Sequence, residues 1–507
     1  MKKRTVSLFL TTAMAAALLA GCGSSSSGTA SSTASTAAST ASTEAAAAAS
    51  TTAEAADTTA TEAASTEEIP GGRVYLLNFK PETDEAWQDL AQKYNDLGGN
   101  VTVLTAADGQ YATTLQSEMA KSAAPTIFNI GSSTDAQTWD DYTYDLKDTD
   151  LYNHVSDHSL DVVYNGKVAG IANCYECYGI IYNKTILDAY CKLDGAKVTS
   201  VDDIKDFDTL KAVADDINSR VDDLNAALAG TAFDGTVTEA FASAGLDDGS
   251  SWRFSGHLAN MPLYYEFKDD GVEDPTQGEA TIKGTYLDNF KNVWDMYVSD
   301  SGADPQLLDG GSYNAEQEFG MEEAVFYQNG DWEYSALKDA DGANGYLTAD
   351  DELDMIPIYF GVDDENEGLA VGTENHWSIN AKCSQEEIDA SLNFLEWVIT
   401  SDEGRDALTN TMGLSCPFDT FTDDYAPTNA FGAKAATYTE AGKTSVAWAF
   451  NATPNVDDWR ADVVAALVSY TKGEGDFDAV KTAFVDGWAT QWAAAHSGEA
   501  ATEGATE

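Results

Sequence analysis

The chain is 507 residues long, more than one ordinary hydrophobic core accommodates, so two or more lobes are expected. Its 27 basic and 85 acidic residues give a formal charge of −58 and a pI near 4.1. A surface this acidic repels phosphate backbones and anionic head groups, which argues against nucleic acid and lipid surfaces as partners.

The first 22 residues read as an address. Lys2, Lys3 and Arg4 form a positive segment, Val6 to Leu19 an apolar one too short for a comfortable membrane span, and Ala20-Gly21 supply small residues before a cut. Leu19-Ala20-Gly21-Cys22 resembles the lipobox of bacterial lipoproteins. That resemblance implies cleavage before Cys22, diacylglycerol on its sulfur, and a lipid-anchored protein on the extracellular face of the cell membrane. Residues 23–68 are Ser, Thr and Ala with scattered acids and no hydrophobic period, which predicts a disordered tether; residues 497–507 have the same character.

Beyond the tether, Arg73 to Phe79 reads as a strand and Asp84 to Leu97 as a helix burying Trp87, Leu90, Ala91, Tyr94 and Leu97. A strand at Val101 to Thr105, a helix marked by Tyr111, Leu115 and Met119, and a strand at Thr126 to Ile130 follow. Strands alternating with helices predict a mostly parallel α/β sheet. Ligands of such sheets lie beyond the carboxyl ends of the strands, which nominates Lys80, Glu82, Asp108, Tyr111 and Asn129.

Asn165-Gly166 is a turn signal between the apolar runs Val162 to Tyr164 and Val168 to Ile171, and Gly179 to Tyr182 is a third apolar run. The polar and aromatic patch between them, Asn173 to Tyr178, is a candidate ligand contact. Helical periods follow at Phe207, Leu210, Ala214, Ile217 and at Tyr286, Phe290, Val293, Trp294, Tyr297, with an aromatic-rich region around Trp252 and Tyr264 between them. Phe319 to Trp332 reads as a helix end running into a strand and then the turn Asn329-Gly330-Asp331-Trp332, where a Trp is poorly placed to be ordinary core. A strand at Met355 to Phe360, the run Gly372 to Asn380 and two terminal helical patterns complete the chain.

Three of these stretches carry a resemblance. Gly166-Lys167-Val-Ala-Gly170-Ile171 with Gly179-Ile-Ile-Tyr182-Asn183-Lys184, then Ala324 to Trp332, then Trp377-Ser-Ile379 before Thr400-Ser401-Asp402-Glu403-Gly404, are similar to extracellular solute-binding proteins of family 1. The likeness spans Gly71 to about Trp492; it departs at Ile171-Ala172, where the family commonly has Ile-Pro. It implies a two-lobed, periplasmic-binding-protein-like α/β fold with a hinge and an interlobe ligand cleft, without catalytic activity, cofactor or bound metal. Lobe one is then expected at 71–173 and 374–412, lobe two at 174–373 and 413–496. The implied partners are a small-molecule solute, an oligosaccharide foremost, and the permease of an ABC importer, with the protein acting as a monomer that meets the membrane only through its N-terminal lipid.

Sugars present apolar ring faces and polar edges, so their sites combine aromatic plates with carboxylates or amides. Trp332 matches a Trp that stacks on sugar in the maltose-binding branch, and Glu176 matches an acidic cleft residue there. Tyr175, Asp331 and Trp377 are further candidates beside these, and Trp252 and Tyr264 fall where the family places more stacking residues. A non-sugar solute such as a peptide or polyamine, or a surface protein that binds or cuts glycan, stays open as an alternative.

Other motifs carry less. Past Cys22 the cysteines number five, at 174, 177, 191, 383 and 416, and an odd count describes no disulfide framework in a domain this large. Cys174-Tyr-Glu-Cys177 has redox or zinc spacing without a second pair. Asp363, Glu365, Glu367, Gly368 and Glu374 occupy calcium-loop positions, but Glu stands where the shorter Asp or Asn belongs, so a solvated acidic turn is expected. Gly442-Lys443-Thr444 lacks the first glycine of a phosphate-binding loop, with Thr437 in its place.

Overall fold

Two six-stranded sheets, each in its own lobe, organise the chain. The computed structural model describes residues 69–107, 110–231, 233–272, 274–337, 353–422, 425 and 430–496. The expected leader (1–22) and tether (23–68), the expected tail (497–507) and Asp108 lie outside the described residues.

The first lobe holds β1 (Val74–Asn78), β2 (Val101–Thr105), β3 (Ile127–Ile130), β4 (Val162–Tyr164), β5 (Lys167–Ala172) and β11 (His376–Ile379), in the order β2-β1-β3-β11-β5-β4. β1 runs parallel to β2 and β3, whereas β11 is antiparallel to both its neighbours. The β4–β5 connection closes on Asn165 and Gly166, whose φ angles of 49° and 78° are the left-handed pair that a two-residue hairpin turn requires. The helix Asp84–Asp96 buries Trp87, Leu90, Ala91 and Tyr94 at the helical period. Leu97, expected on that face, caps the helix instead and is 59% exposed. Trp87, Tyr94, Phe394 and Trp377 form the core on one side of the sheet, and Leu77, Leu115 and Phe128 a smaller one on the other.

The second lobe is built on β6 (Glu176–Asn183), buried along its whole length. It pairs antiparallel with β8 (Ala324–Gly330) on one edge and with β9 (Leu353–Ile356) and β10 (Glu367–Gly372) on the other; β7 (Glu239–Phe241) and β12 (Thr444–Ala447) complete the sheet. Strands covered on both faces read as continuous apolar runs, which is how Gly179 to Tyr182 appears in the sequence. The strand expected over Met355 to Phe360 is shorter, ending at Ile356. The terminal helices Val456–Thr471 and Phe477–Ala495 pack through Trp459, Phe484 and Trp488, with Trp459 Nε1 donating to Phe484 O at 3.0 Å.

Between the sheets the chain crosses at 173–175 and at 373–375. The two crossings are bonded to each other, Asn173 N–H to Asn375 O at 2.9 Å. The return to the second lobe comes later than Gly413, where lobe two was expected to resume. Leu414 and Phe418 pack into the first-lobe core, Phe418 stacking on Trp377 at 6.0 Å, and the second-lobe core resumes with Phe431 and Ala435. Among the described residues no helix is long and apolar enough to cross a membrane.

Candidate functional site

The ends of β1 and β8 and the start of β6 meet at the crossings, and the loops they carry face one another across the gap between the lobes. Glu82 from the first lobe, Tyr175 and Glu176 from the crossing, Asp331 and Trp332 from the second lobe, and the strip Thr411 to Ser415 line an interlobe cavity of about 30 Å³. That is room for about one water molecule.

Lys80, just past β1, sends its ammonium into this region, 2.6 Å from Glu176 Oε1 and 3.2 Å from Glu82 Oε1. The same nitrogen lies 5.7 Å from the centre of the Trp332 ring. Burial works against this charge, but Glu176 and then Glu82 outweigh it and hold the ammonium well above its usual pKa. The second oxygen of Glu176 accepts from Asn375 Nδ2 at 3.0 Å. Asp331 accepts from the Cys177 N–H at 3.2 Å, and burial and then the Glu176 charge push its carboxyl well up.

Trp332 is positioned by Gly330: a Cβ there would sit 2.2 Å from the indole, so only glycine lets the ring fold back over the end of β8. The ring belongs to an aromatic wall with Trp252 at 6.0 Å, His257 at 5.1 Å and Trp448 at 6.5 Å. Gly372 gives Trp448 the same kind of floor, a Cβ at that position lying 2.4 Å from the indole. His257 reaches the wall from π-helical turns, Arg253–Leu258, that run into the helix Ala259–Asp270. Pro262 in that helix has no N–H for the Leu258 carbonyl, and the turns ahead of it widen accordingly. His257 stacks on Tyr178 at 4.2 Å, and burial, then Arg460, Arg253 and Lys80, depress its pKa well below normal, leaving a neutral imidazole.

Four buried polar atoms in or near this wall, His257 Nδ1, Trp448 Nε1, Asn451 Oδ1 and Arg460 Nε, find no hydrogen-bond partner among the described residues. Beside them Arg460 lies 4.0 Å from Glu374 at the second crossing. Unsatisfied buried donors and acceptors around stacked rings are what a hydroxyl-rich ligand would complete.

Of the residues nominated by sequence, Lys80, Glu82, Tyr175, Glu176, Trp252, Asp331 and Trp332 thus converge. Trp377 does not. It is 1% exposed inside the first-lobe core, against Trp87 and Phe418, because its parity in β11 turns it away from the gap. Tyr264 bonds Glu367, at the end of β10 remote from the crossing. Asn129 and Tyr111 form a buried knot, the Asn129 N–H donating to the Tyr111 hydroxyl at 2.6 Å, and neither lines the cavity. Among the described residues no group of three or more His, Cys, Asp or Glu is placed to hold a metal ion. In the acidic turn, the Asp364 carboxylate instead accepts from the N–H groups of Phe207, Phe360, Gly361 and Val362.

Two lobes joined by crossing strands, with polar and aromatic side chains converging between them, define a hinged solute-binding protein. Residues 85–436 match the family model described as bacterial extracellular solute-binding protein, and the chain belongs to that family. No curated protein matches it. Solved structures with similar folds include the GacH receptor of Streptomyces glaucescens, studied with acarbose, at 14% identity and a TM-score of 0.57, with 84% of this chain and 99% of that one covered. RafE from Streptococcus pneumoniae has 15% identity and a TM-score of 0.54 over 84% and 98%. The maltose/maltodextrin-binding domain MalE of Bdellovibrio bacteriovorus, bound to maltotriose, has 15% identity and a TM-score of 0.55 over 81% and 97%. At such identities the likeness is one of fold.

Proposed function

We propose that the protein captures a carbohydrate, an oligosaccharide, in the gap between its lobes and delivers it to the permease of an ABC importer, held at the outer face of the membrane by lipid on Cys22. The observation that carries this reading is the pair of rings Trp332 and Trp252 beside Glu82, Glu176, Asp331 and Lys80, aromatic plates next to polar and charged groups. The printed ligands of the related folds, maltotriose and acarbose among them, point the same way. Trp332 is the stacking plate in this reading, and Glu176, Asp331 and Glu82 take hydroxyl hydrogens.

A thermal-shift panel of mono- and oligosaccharides tests it. A sugar at about 100 times its dissociation constant adds roughly 2.7 kcal/mol to the folded state, a rise of several degrees. Three carboxylates at the cavity and a charge of −58 favour a second reading, a cationic solute such as a polyamine. If polyamines shift the melt and no sugar does, the carbohydrate reading is wrong. Trp332→Ala should weaken binding of the responding sugar at least tenfold by calorimetry while leaving the unliganded melt nearly in place; collapse of the unliganded melt would make Trp332 framework.

A further inference from the structure

Tyr175, on the first crossing, and Ser415, on the strip that lines the interlobe cavity, form an isolated antiparallel bridge in which the Tyr175 N–H donates to Ser415 O at 2.9 Å. In antiparallel pairing the residue before one partner stands opposite the residue after the other, so Cys174 faces Cys416. Beside a hydrogen-bonded pair, the next facing pair is the close kind, with Cα atoms about 4.5 Å apart and both side chains on one face. Disulfides span Cα separations of about 4.4 to 6.8 Å. The packing agrees with the register: Cys174 is part of the first-lobe core and the partly buried Cys416 packs against that same cluster, whereas Tyr175, between them in parity, turns out toward the cavity. Both are free thiols in this structure, and we propose that oxidation joins Cys174 and Cys416 in a disulfide that ties the first crossing to the cavity-lining strip Thr411 to Ser415.

The other cysteines are placed elsewhere. Cys177 contacts Asp331 and the Phe431 carbonyl through its sulfur within a second-lobe core, Cys191 ends the second-lobe helix Lys184–Cys191, and Cys383 precedes the helix Gln385–Thr400. The odd count of thiols thus divides into one facing pair and three singles. Membership of an extracellular family puts the pair in a compartment where disulfides persist. This inference rests on that membership and on the register, not on the identity of the solute.

The oxidant is a second disulfide, a small-molecule or protein one. Cys416, the more accessible of the two, attacks it as thiolate and releases one thiol, leaving a mixed disulfide. Cys174 then gives up its proton and attacks the Cys416 sulfur, expelling the second thiol. Two cysteine sulfurs lose two electrons and two protons, and the oxidant gains both. Burial pushes both thiols up, so in the folded chain this exchange is slow, and the bond forms while the segments are still exposed.

The test uses the full chain, refolded with oxidised glutathione, alkylated under denaturing conditions and mapped without reduction. The expected product is a peptide pair joining Cys174 to Cys416, with Cys177, Cys191 and Cys383 alkylated. Alkylated Cys174 and Cys416, or either one joined to a different cysteine, would overturn the proposal. Reduction should also lower the melt of the oxidised protein by several degrees and leave Cys416→Ser unchanged; a reduction-sensitive melt that survives in Cys416→Ser overturns it as well.

Discussion

Glu176 is held by a charge from one lobe and an amide from the crossing, and the balance between them sets what it can do for a solute. Its side chain is 6% exposed and that of Lys80 12%, so the pair sits where an unpaired charge costs far more than a surface ion would. Lys80→Met should therefore destabilise by about 3–5 kcal/mol at neutral pH, because Glu176 is then left with Asn375 and the neighbouring Asp331. Adding Glu176→Gln should restore most of that loss, and a double-mutant cycle by chemical denaturation measures the coupling. A Lys80→Met protein as stable as the parent would show that the pair is solvated. These residues are legible in sequence because each follows a strand end or a turn. Trp377 and Tyr264 are the same residue types in equally aromatic surroundings, but which way a strand or helix residue faces depends on register and packing that spacing leaves open. His257 and Trp448 escape notice for the converse reason: one arrives through π-helical turns and the other just beyond β12, where neither a period of 3.6 nor one of 2 applies.

Elements with a strong period are the most readable part of the chain. The helices Asp84–Asp96, Phe207–Ser219 and Leu287–Ser299 bury the interior residues that their spacing predicts, while Leu97, Phe207 and Tyr286, at their ends, stay exposed or half-buried, and the Asn165-Gly166 hairpin follows from two residues that tolerate positive φ. The end of β8 was readable only as a turn. Its structure is a strand ending at Gly330 followed by the single tight turn Asp331–Glu333, with the indole of Trp332 folded onto the glycine. Gly330→Ala should push that indole out of the wall. The expected outcome is a loss of affinity of tenfold or more for the sugar found in the thermal-shift panel, with the β8 pairing retained and the unliganded melt lowered by only a few degrees. Calorimetry on the purified variant decides it, and unchanged affinity would mean that the ring has another resting place.

Over the whole molecule the carboxylates divide into two sets that pull the stability optimum in opposite directions. Burial, and then the neighbouring Glu318, pushes Glu239 up to about 9; burial pushes Glu333 up to about 7 and Asp300 up to about 6. In the folded chain these groups keep protons that an unfolded carboxyl releases near pH 4 to 4.5. The stability they confer is thus complete below that range and is lost as pH rises through 6, 7 and 9. Asp140, bonded by Lys167, Glu118, bonded by Lys121, and Asp402, bonded by Tyr425 and Arg405, are held below the ordinary carboxylate range. Their contribution is present at neutral pH and is lost only as pH falls through those lowered values. Both sets are favourable together only between about pH 4.5 and 6, and the formal charge of −58 adds repulsion on the alkaline side. The melt should accordingly be highest near pH 5 and fall steadily toward pH 9, with added salt raising it more at pH 8 than at pH 5. Glu239→Gln keeps a donor toward Glu318 without a proton to lose. It should gain at least about 1 kcal/mol, or roughly 2 °C, at pH 8 and nothing at pH 4.5. Differential scanning calorimetry across that range measures both, and a melt that rises from pH 6 to 9 would mean that the buried carboxyls are not protonated in the folded chain.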